Sequence, residues 1–431
     1  MQVILLAAGR STRLAPISDK NMLEFAGKTL IEHQVGAIKN AKLRDIVVVG
    51  GAHNMEHLKR LLKKYNNVAV VEQKKLEDGM AGGVLAGAAH VQHKQVLVMS
   101  TNDIFEPWLL EKVMTAAKKE NDGVIAGSKV ESYFPGGYLA SDKKDYITNI
   151  VEKPGEGKEP GKYVNLVLHI YNDFPKFLTH LKKARSKKDD VYEVALLDYI
   201  KKGKAKLELY KYHGHWQPVK FPWHVLRIME RFLGQQEKRI DRTALISKNA
   251  MINGNVVIGP KVQVFDNAVI QGPAYIGEGS IIGSNAMVRQ SMVGTNCVIG
   301  FGTEVTRSYL NNDVWTHTNY IGDSIVDSNV SFGAGTVTGN LRFDEQNVRV
   351  LIGKDKLDTG TPKFGAIIGH GARFGINASI NPGRKIGCNS FVGANVLVDE
   401  DIADDKMVLL KQTLKIVSNQ VEKVDTKSRK K

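Results

Sequence analysis

The sequence predicts two units of different architecture. An α/β domain is expected over residues 1–235, a parallel β-helix over 236–410, and a basic tail over 411–431. Three observations predict this. Short apolar runs alternate with helical patterns through the first 235 residues. Beyond residue 240, aliphatic side chains recur at every sixth position. The 41 glycines, against 12 prolines, thicken in the same second half. At about 150 residues per domain, 431 residues make two to three domains.

The apolar runs at 3–6, 46–49, 68–71, 96–99 and 124–126 read as strands. Helical patterns at 30–40, 56–64 and 106–119 separate them. Such alternation predicts a mostly parallel sheet covered on both faces. A helix over 222–238, with Val225, Leu226, Ile228, Met229 and Phe232 apolar, leads out of this unit. Then Ile246, Ile252, Ile258, Val264, Ile270, Ile276, Ile282 and Val288 follow at a period of six. The phase slips by one and resumes at Val293, Ile299 and Val305. It returns as Ile368, Phe374, Ile380, Ile386, Val392 and Val398. A hexapeptide period builds a solenoid of short parallel strands, three per turn, with the aliphatics stacked inside. Two stretches, 306–320 and 340–361, break the period and are expected to project as loops.

Composition narrows the function. With 42% hydrophobic and 24% charged residues, wholesale disorder is excluded. Two cysteines, Cys297 and Cys388, make neither a disulfide framework nor a structural zinc site. They read as small buried side chains in a reduced cytoplasm. No apolar run reaches membrane-spanning length, so no membrane partner is expected. A formal charge of +15 favours anionic partners. No aromatic-interleaved basic stripe of an RNA-binding module is present, so phosphorylated small molecules are favoured over nucleic acid.

The segment Leu5-Leu6-Ala7-Ala8-Gly9-Arg10-Ser11-Thr12-Arg13-Leu14 follows the first strand. The carboxyl end of a strand in an open α/β sheet is where phosphates and nucleotides bind. Backbone amides around Ala8 and Gly9 can cradle an anion there, and Arg13 adds charge. Lys20 follows, then Phe25-Ala26-Gly27-Lys28-Thr29-Leu30-Ile31. Together these resemble the signature of the sugar-1-phosphate nucleotidylyltransferases, roughly L-A-A-G-x-G-T-R-L, then P-K, then A-G-K-P-L-I. The resemblance implies a Rossmann-like nucleotidyltransferase fold with a mixed sheet. It implies that Arg13 and Lys20 hold a triphosphate and that Gln73 and Gly79 belong to the base-reading segment. It makes Asp103 a ligand of Mg²⁺, and places Gly137, Glu152 and Asn165 in the sugar pocket. Four positions depart from the pattern: Ser11 for a glycine, Asp19 and Glu24 for prolines, and Pro218 for the aspartate of W-x-D-I-G-x-P-W, the second metal ligand.

In the second half, His317-Thr318-Asn319-Tyr320-Ile321-Gly322-Asp323 precedes Phe332-Gly333-Ala334-Gly335-Thr336 and Asn340. These resemble the acetyltransferase half of the bifunctional enzymes that make UDP-N-acetylglucosamine, with H-x-x-Y-x-G-D, then N-x-G-A-G-T, then a further asparagine. The implied fold is a left-handed β-helix, and the implied assembly a homotrimer. Imidazole titrates near neutral pH, which suits His317 to take a proton from an amine. Tyr320, Ser331 (an asparagine in the pattern) and Asn340 would contact the sugar phosphate. Ala366, Asn377 and Ala394 would line the groove for acetyl-CoA. The stretch 358–365 resembles the archaeal-type branch, in which galactosamine-1-phosphate joins glucosamine-1-phosphate as an acceptor. The expected protein is therefore a bifunctional enzyme using acetyl-CoA and UTP or dTTP. Three alternatives stand beside it: an acetyltransferase with a nucleotide-sugar-sensing N-terminal domain, a glucose-1-phosphate thymidylyl- or uridylyltransferase, and a non-catalytic regulatory subunit.

Overall fold

The structure is a computed structural model that describes residues 1–17, 19–117 and 120–420; the last eleven residues of the expected basic tail, 421–431, lie outside it. The apolar runs form strands, as predicted. They are β1 (Gln2–Leu6), β2 (Ile46–Gly50), β3 (Val68–Glu72), β4 (Val96–Ser100) and β5 (Gly123–Lys129). Four further strands join them: β6 (Gly137–Ser141), β7 (Ile147–Glu152), β8 (Tyr163–Tyr171) and β9 (Leu207–Tyr212). The sheet order is β7-β6-β8-β4-β1-β2-β3, with β5 and then β9 branching from β8. It is mixed, not mostly parallel. The strands β4, β1, β2 and β3 run parallel, but β8 is antiparallel to β4, β5 and β6.

Helices cover both faces, because successive strand residues point to opposite sides. Val3 and Leu5 pack against α1 (Leu30–Asn40), α2 (Met55–Leu62) and α4 (Trp108–Ala116). Ile4 packs with α3 (Gly79–Ala88), α5 (Phe174–Lys183) and α6 (Val191–Lys201). The first of these helices starts on a reciprocal cap. Glu32 N donates to Thr29 Oγ1, and Thr29 N donates to the Glu32 carboxylate at 2.9 Å.

The exit helix α7 (Pro222–Gly234) is followed by three parallel ladders of two- to three-residue strands, beginning at Arg239–Ile240, Leu245–Ile246 and Met251–Asn253. All the aliphatic residues at the six-residue period meet in one core, with Ile246 and Ile252 at its partly exposed end. The expected loop at 306–320 is absent: the coil continues through Tyr309–Leu310, Trp315 and Tyr320–Gly322. Its inward residues are Leu310, Thr316 and Ile321, so two five-residue sides and a buried threonine hide the period. The second break does project, as a hairpin of Arg349–Ile352 with Asp355–Asp358.

One apolar cluster joins the two units. It includes Phe25, Trp223, Ile228 and Met229 from the first, and Met292, Tyr309, Ile325 and Val350 from the second. Phe25 stacks on Phe232 at 5.3 Å and lies 5.5 Å from Tyr309. Glu24 N donates to Tyr309 Oη at 2.9 Å, and Arg227 Nη2 donates to Thr359 O at 2.9 Å.

Candidate active sites

The loop after β1 carries the first site. Ser11 sits at φ 55°, the left-handed region that glycine occupies most readily, which accounts for glycine at this place in the pattern. Its Oγ accepts from Lys20 N at 3.3 Å. Lys20 Nζ lies against Gly9, 3.5 Å from where a Cβ would stand. Burial lowers the Lys20 pKa to about 8, against the pull of Asp19 and Asp103; Arg13 lowers it further. Asp19 caps the short turn that carries Lys20: its carboxylate accepts from Asn21 N at 2.9 Å and from Asn54 Nδ2 at 2.8 Å. Asn21 and Asn54 each donate to Ala7 O at 3.0 Å, so the loop rests on a buried polar network.

Asp103 is buried, 7% exposed. Trp216 Nε1 donates to its Oδ1 at 2.8 Å, and Val167 supplies a backbone hydrogen bond. Burial raises its pKa, while Trp216, Val167, Lys20 and Lys220 pull it down. Pro218 pairs with Asp103 across an antiparallel bridge, so the side chain facing this carboxylate has no oxygen. Lys220, two residues further on, was not singled out from the sequence. Its ammonium donates to Pro135 O and stands 4.5 Å over the Phe134 ring. Burial lowers its pKa to about 8, with Arg13 and Lys153 adding to that and Glu152 and Asp103 opposing it. The available signal was the pattern W-x-D-I-G-x-P-W itself, which has glycine where this chain has Lys220.

The expected sugar pocket is assembled by β6, β7 and β8. Gly137 pairs with Glu152, and a Cβ on Gly137 would stand 3.1 Å from Glu152 Oε2 and 3.5 Å from Asn165 Cβ. Lys153 pairs with Glu152 at 2.9 Å. Asn165 Oδ1 bonds His169 Nε2 at 2.8 Å, His169 Nδ1 bonds Tyr192 Oη at 2.7 Å, and Tyr192 bonds Tyr171 Oη at 2.6 Å. A carbonyl oxygen only accepts, so His169 Nε2 carries the proton and Nδ1 accepts from Tyr192. Burial lowers the His169 pKa to about 3, which keeps the ring neutral. The Asn165 amide therefore keeps its NH₂ for the pocket. His169 and Tyr192 were also missed; a histidine inside the apolar run Leu166-Val167-Leu168-His169-Ile170 was their signal. Gln73 donates to Lys75 O at 3.0 Å and Gly79 O at 2.9 Å, which ties the expected base-reading segment together.

The second site lies on the β-helix. Arg307 grips Asp323 with two bonds, 2.6 and 2.7 Å. Asn340 Nδ2 donates to Tyr320 Oη at 3.1 Å and to Asp323 Oδ2 at 2.5 Å. Gly322 makes room for this: a Cβ there would stand 2.7 Å from both Asn340 Nδ2 and Tyr320 Oη. His317 is exposed at the corner that precedes Tyr320. Asn319 anchors that corner. It accepts from His317 N at 2.7 Å and donates to Gly333 O at 2.8 Å and Thr336 O at 3.0 Å. The corner stack continues through Gly335 N to Thr318 O at 2.8 Å, Asn377 N to Ala334 O at 2.9 Å and Asn395 N to Ile376 O at 2.9 Å. His317, Asn377 and Ala394 thus lie along one edge. Ser331 stands on the adjoining face, paired with Trp315. Ala366 is wholly buried in the coil core, after the hairpin.

Residues 3–248 match the family of MobA-like NTP transferase domains, and residues 235–340 match the GMPPB C-terminal domain. Over 429 residues the chain is 33% identical to the bifunctional protein GlmU of Methanococcus vannielii, covering 96% of this chain and 99% of that one. The chain belongs to the bifunctional GlmU family. Another relative is the bifunctional sugar-1-phosphate nucleotidylyltransferase/acetyltransferase of Sulfurisphaera tokodaii, 29% identical over 413 residues, 93% of this chain and 98% of that one. A solved structure, a putative glucose-1-phosphate thymidylyltransferase from Bacillus anthracis, aligns with 54% of this chain and 95% of its own at 19% identity and TM-score 0.47. The archaeal-type resemblance agrees with the Methanococcus and Sulfurisphaera members of the GlmU family. No helix among the described residues is long and apolar enough to cross a membrane.

Proposed function

We propose that this GlmU-family chain acetylates glucosamine-1-phosphate with acetyl-CoA and then transfers uridylyl from UTP to the product, releasing pyrophosphate. The observation that carries the reading is Lys20, buried against Gly9 in the loop after β1 and beside Asp103, in a chain aligned end to end with bifunctional relatives. In the uridylyl step a sugar-phosphate oxygen forms a bond to the α-phosphorus, and the bond to the bridging α–β oxygen breaks. Arg13, Lys20 and the amides near Ala8 and Gly9 offset the charge that builds there. Glu152 and the Asn165 NH₂ orient the sugar. Mg²⁺ belongs to the proposal as the counter-ion of the triphosphate substrate, and Asp103 is the carboxylate that would hold it; among the described residues no group of three or more His, Cys, Asp and Glu is placed to hold a metal.

In the acetyl step the sugar amine attacks the thioester carbonyl, the C–N bond forms, and the C–S bond breaks to release CoA. His317 takes the amine proton. Tyr320 and Asn340 hold the sugar, and Asn377 and Ala394 line the acetyl-CoA path. The exposed Phe265, Phe301, Trp315, Ile376 and Leu397 support a homotrimer that covers this side of the β-helix. The domain limits of this reading are 1–235 and 236–410. A second reading, acetylation with a sensing N-terminal unit, is favoured by Pro218 opposite Asp103. Pyrophosphate release from UTP and N-acetylglucosamine-1-phosphate decides between them. Release that requires the sugar phosphate supports the bifunctional reading, and none with UTP or dTTP leaves the sensor.

A further inference from the structure

We propose that Lys220 is a phosphate-binding residue of the nucleotidylyl cleft, its ammonium taking the phosphomonoester oxygens of the sugar-1-phosphate between Asp103 and Glu152. The inference rests on the nucleotidylyl reading of this cleft and gives it a residue that neither the motifs nor the comparisons assign.

Placement comes first. The bridge of Pro218 to Asp103 fixes the chain beside that residue, and Pro222 opens α7 just beyond. Between them, Lys220 N donates to His224 Nδ1 at 3.2 Å, which pins the residue's backbone. Phe134 and Pro135, which hold its ammonium, directly precede Gly136 and Gly137. The charge is therefore delivered to the mouth of the sugar pocket. Lys20 instead lies under the loop at Gly9, on the triphosphate side.

Charge comes second. An ammonium has three donors, and Pro135 O takes one. Lys153 is already paired to Glu152 at 2.9 Å, whereas among the described residues Lys220 forms no ion pair. A half-buried cation without a paired anion is costly, and Arg13 and Lys153 repel it further, a cost that the attraction of Glu152 and Asp103 offsets only in part. An incoming phosphomonoester relieves both costs at once, in a site where desolvation strengthens the attraction. The two neighbouring departures, Pro218 and Lys220, act in the same sense. One removes a carboxylate and the other adds an ammonium, so counter-charge for phosphate is carried by the chain itself.

The test is calorimetric titration of the full-length protein in EDTA with N-acetylglucosamine-1-phosphate, with N-acetylglucosamine and with UTP. Wild type, Lys220→Met and Lys220→Arg are compared, with melting temperatures measured alongside. Lys220→Met is expected to weaken the sugar phosphate about tenfold or more, as loss of a charge-assisted hydrogen bond does. UTP affinity should stay within about threefold, the unphosphorylated sugar should be unaffected, and Lys220→Arg should recover part of the loss. Should Lys220→Met melt early, Lys220→Gln carries the same comparison. Equal affinity of the neutral variant for the sugar phosphate overturns the proposal and leaves the cleft reading intact. Equal loss for UTP and sugar phosphate overturns the assignment to the sugar side. A wild-type protein that binds neither ligand overturns both the proposal and the nucleotidylyl reading.

Discussion

Asn165 presents donors to its pocket only because His169 occupies its oxygen and Tyr192 fixes the His169 tautomer. Tyr192→Phe removes the O–H that Nδ1 accepts, and the imidazole proton is then free to move to Nδ1. The expected result is a several-fold rise in KM for the sugar phosphate with KM for UTP unchanged, at a stability cost of about 1–3 kcal/mol for the unpaired buried groups. Steady-state kinetics with each substrate varied in turn checks it. Titration offers a second residue-scale prediction. Burial lowers His169 and His224 to about 3 and raises Glu193 to about 7. The unfolded chain binds the histidine protons first, so both histidines withdraw stability as pH falls below about 6.5. Glu193 acts oppositely, since the folded chain keeps its proton up to about 7. Between about 4.5 and 6.5 two of these groups favour higher pH and one favours lower, so the three together contribute a loss of about 1.4 kcal/mol per unit of acidification. Chemical denaturation at stepped pH measures this slope, and His169→Gln should flatten it.

At the scale of the element, the β-helix positions its site through glycines that admit neighbouring side chains. A methyl group on Gly322 would collide with both Asn340 and Tyr320. Gly322→Ala is expected to cut acetyl transfer about tenfold or more while pyrophosphate release stays near wild type, a misplacement effect read by parallel assays of the two steps. The solenoid was legible in the sequence because inward positions such as Ile258, Val264 and Ile270 are aliphatic and evenly spaced. It faded at 306–338 because Thr316 and Thr338 turn inward and Leu310, Ile321 and Val326 each follow a five-residue side. The loop after β1, Lys20 and Asp103 stand out through local motifs, and the structure brings them together. Lys220 and the His169–Tyr192 pair left only single-residue signals, a lysine at a glycine of the pattern and a histidine in an apolar run, because their meaning depends on chain segments brought together only by the sheet. Ala366 lies buried in the coil core, a placement that its motif position alone did not show.

For the whole molecule, the apolar interface makes each half depend on the other. Trp223, Val225, Ile228 and Met229 are buried in one cluster with residues of the first ladder. An isolated 1–235 fragment leaves that surface to water, at about 25 cal/mol per Å² of apolar area. It is expected to melt below the full chain and to bind a hydrophobic dye, and differential scanning of both proteins checks this. Phosphate handling in the first unit and amine acetylation in the second then meet in one chain whose two products are consecutive. The direct test supplies purified full-length protein with glucosamine-1-phosphate, UTP, Mg²⁺ and acetyl-CoA, and measures free CoA, pyrophosphate and nucleotide sugar together. The account predicts release of both CoA and pyrophosphate, with UDP-N-acetylglucosamine formed and pyrophosphate dependent on acetyl-CoA. CoA release without pyrophosphate, also when N-acetylglucosamine-1-phosphate is given directly, would contradict it.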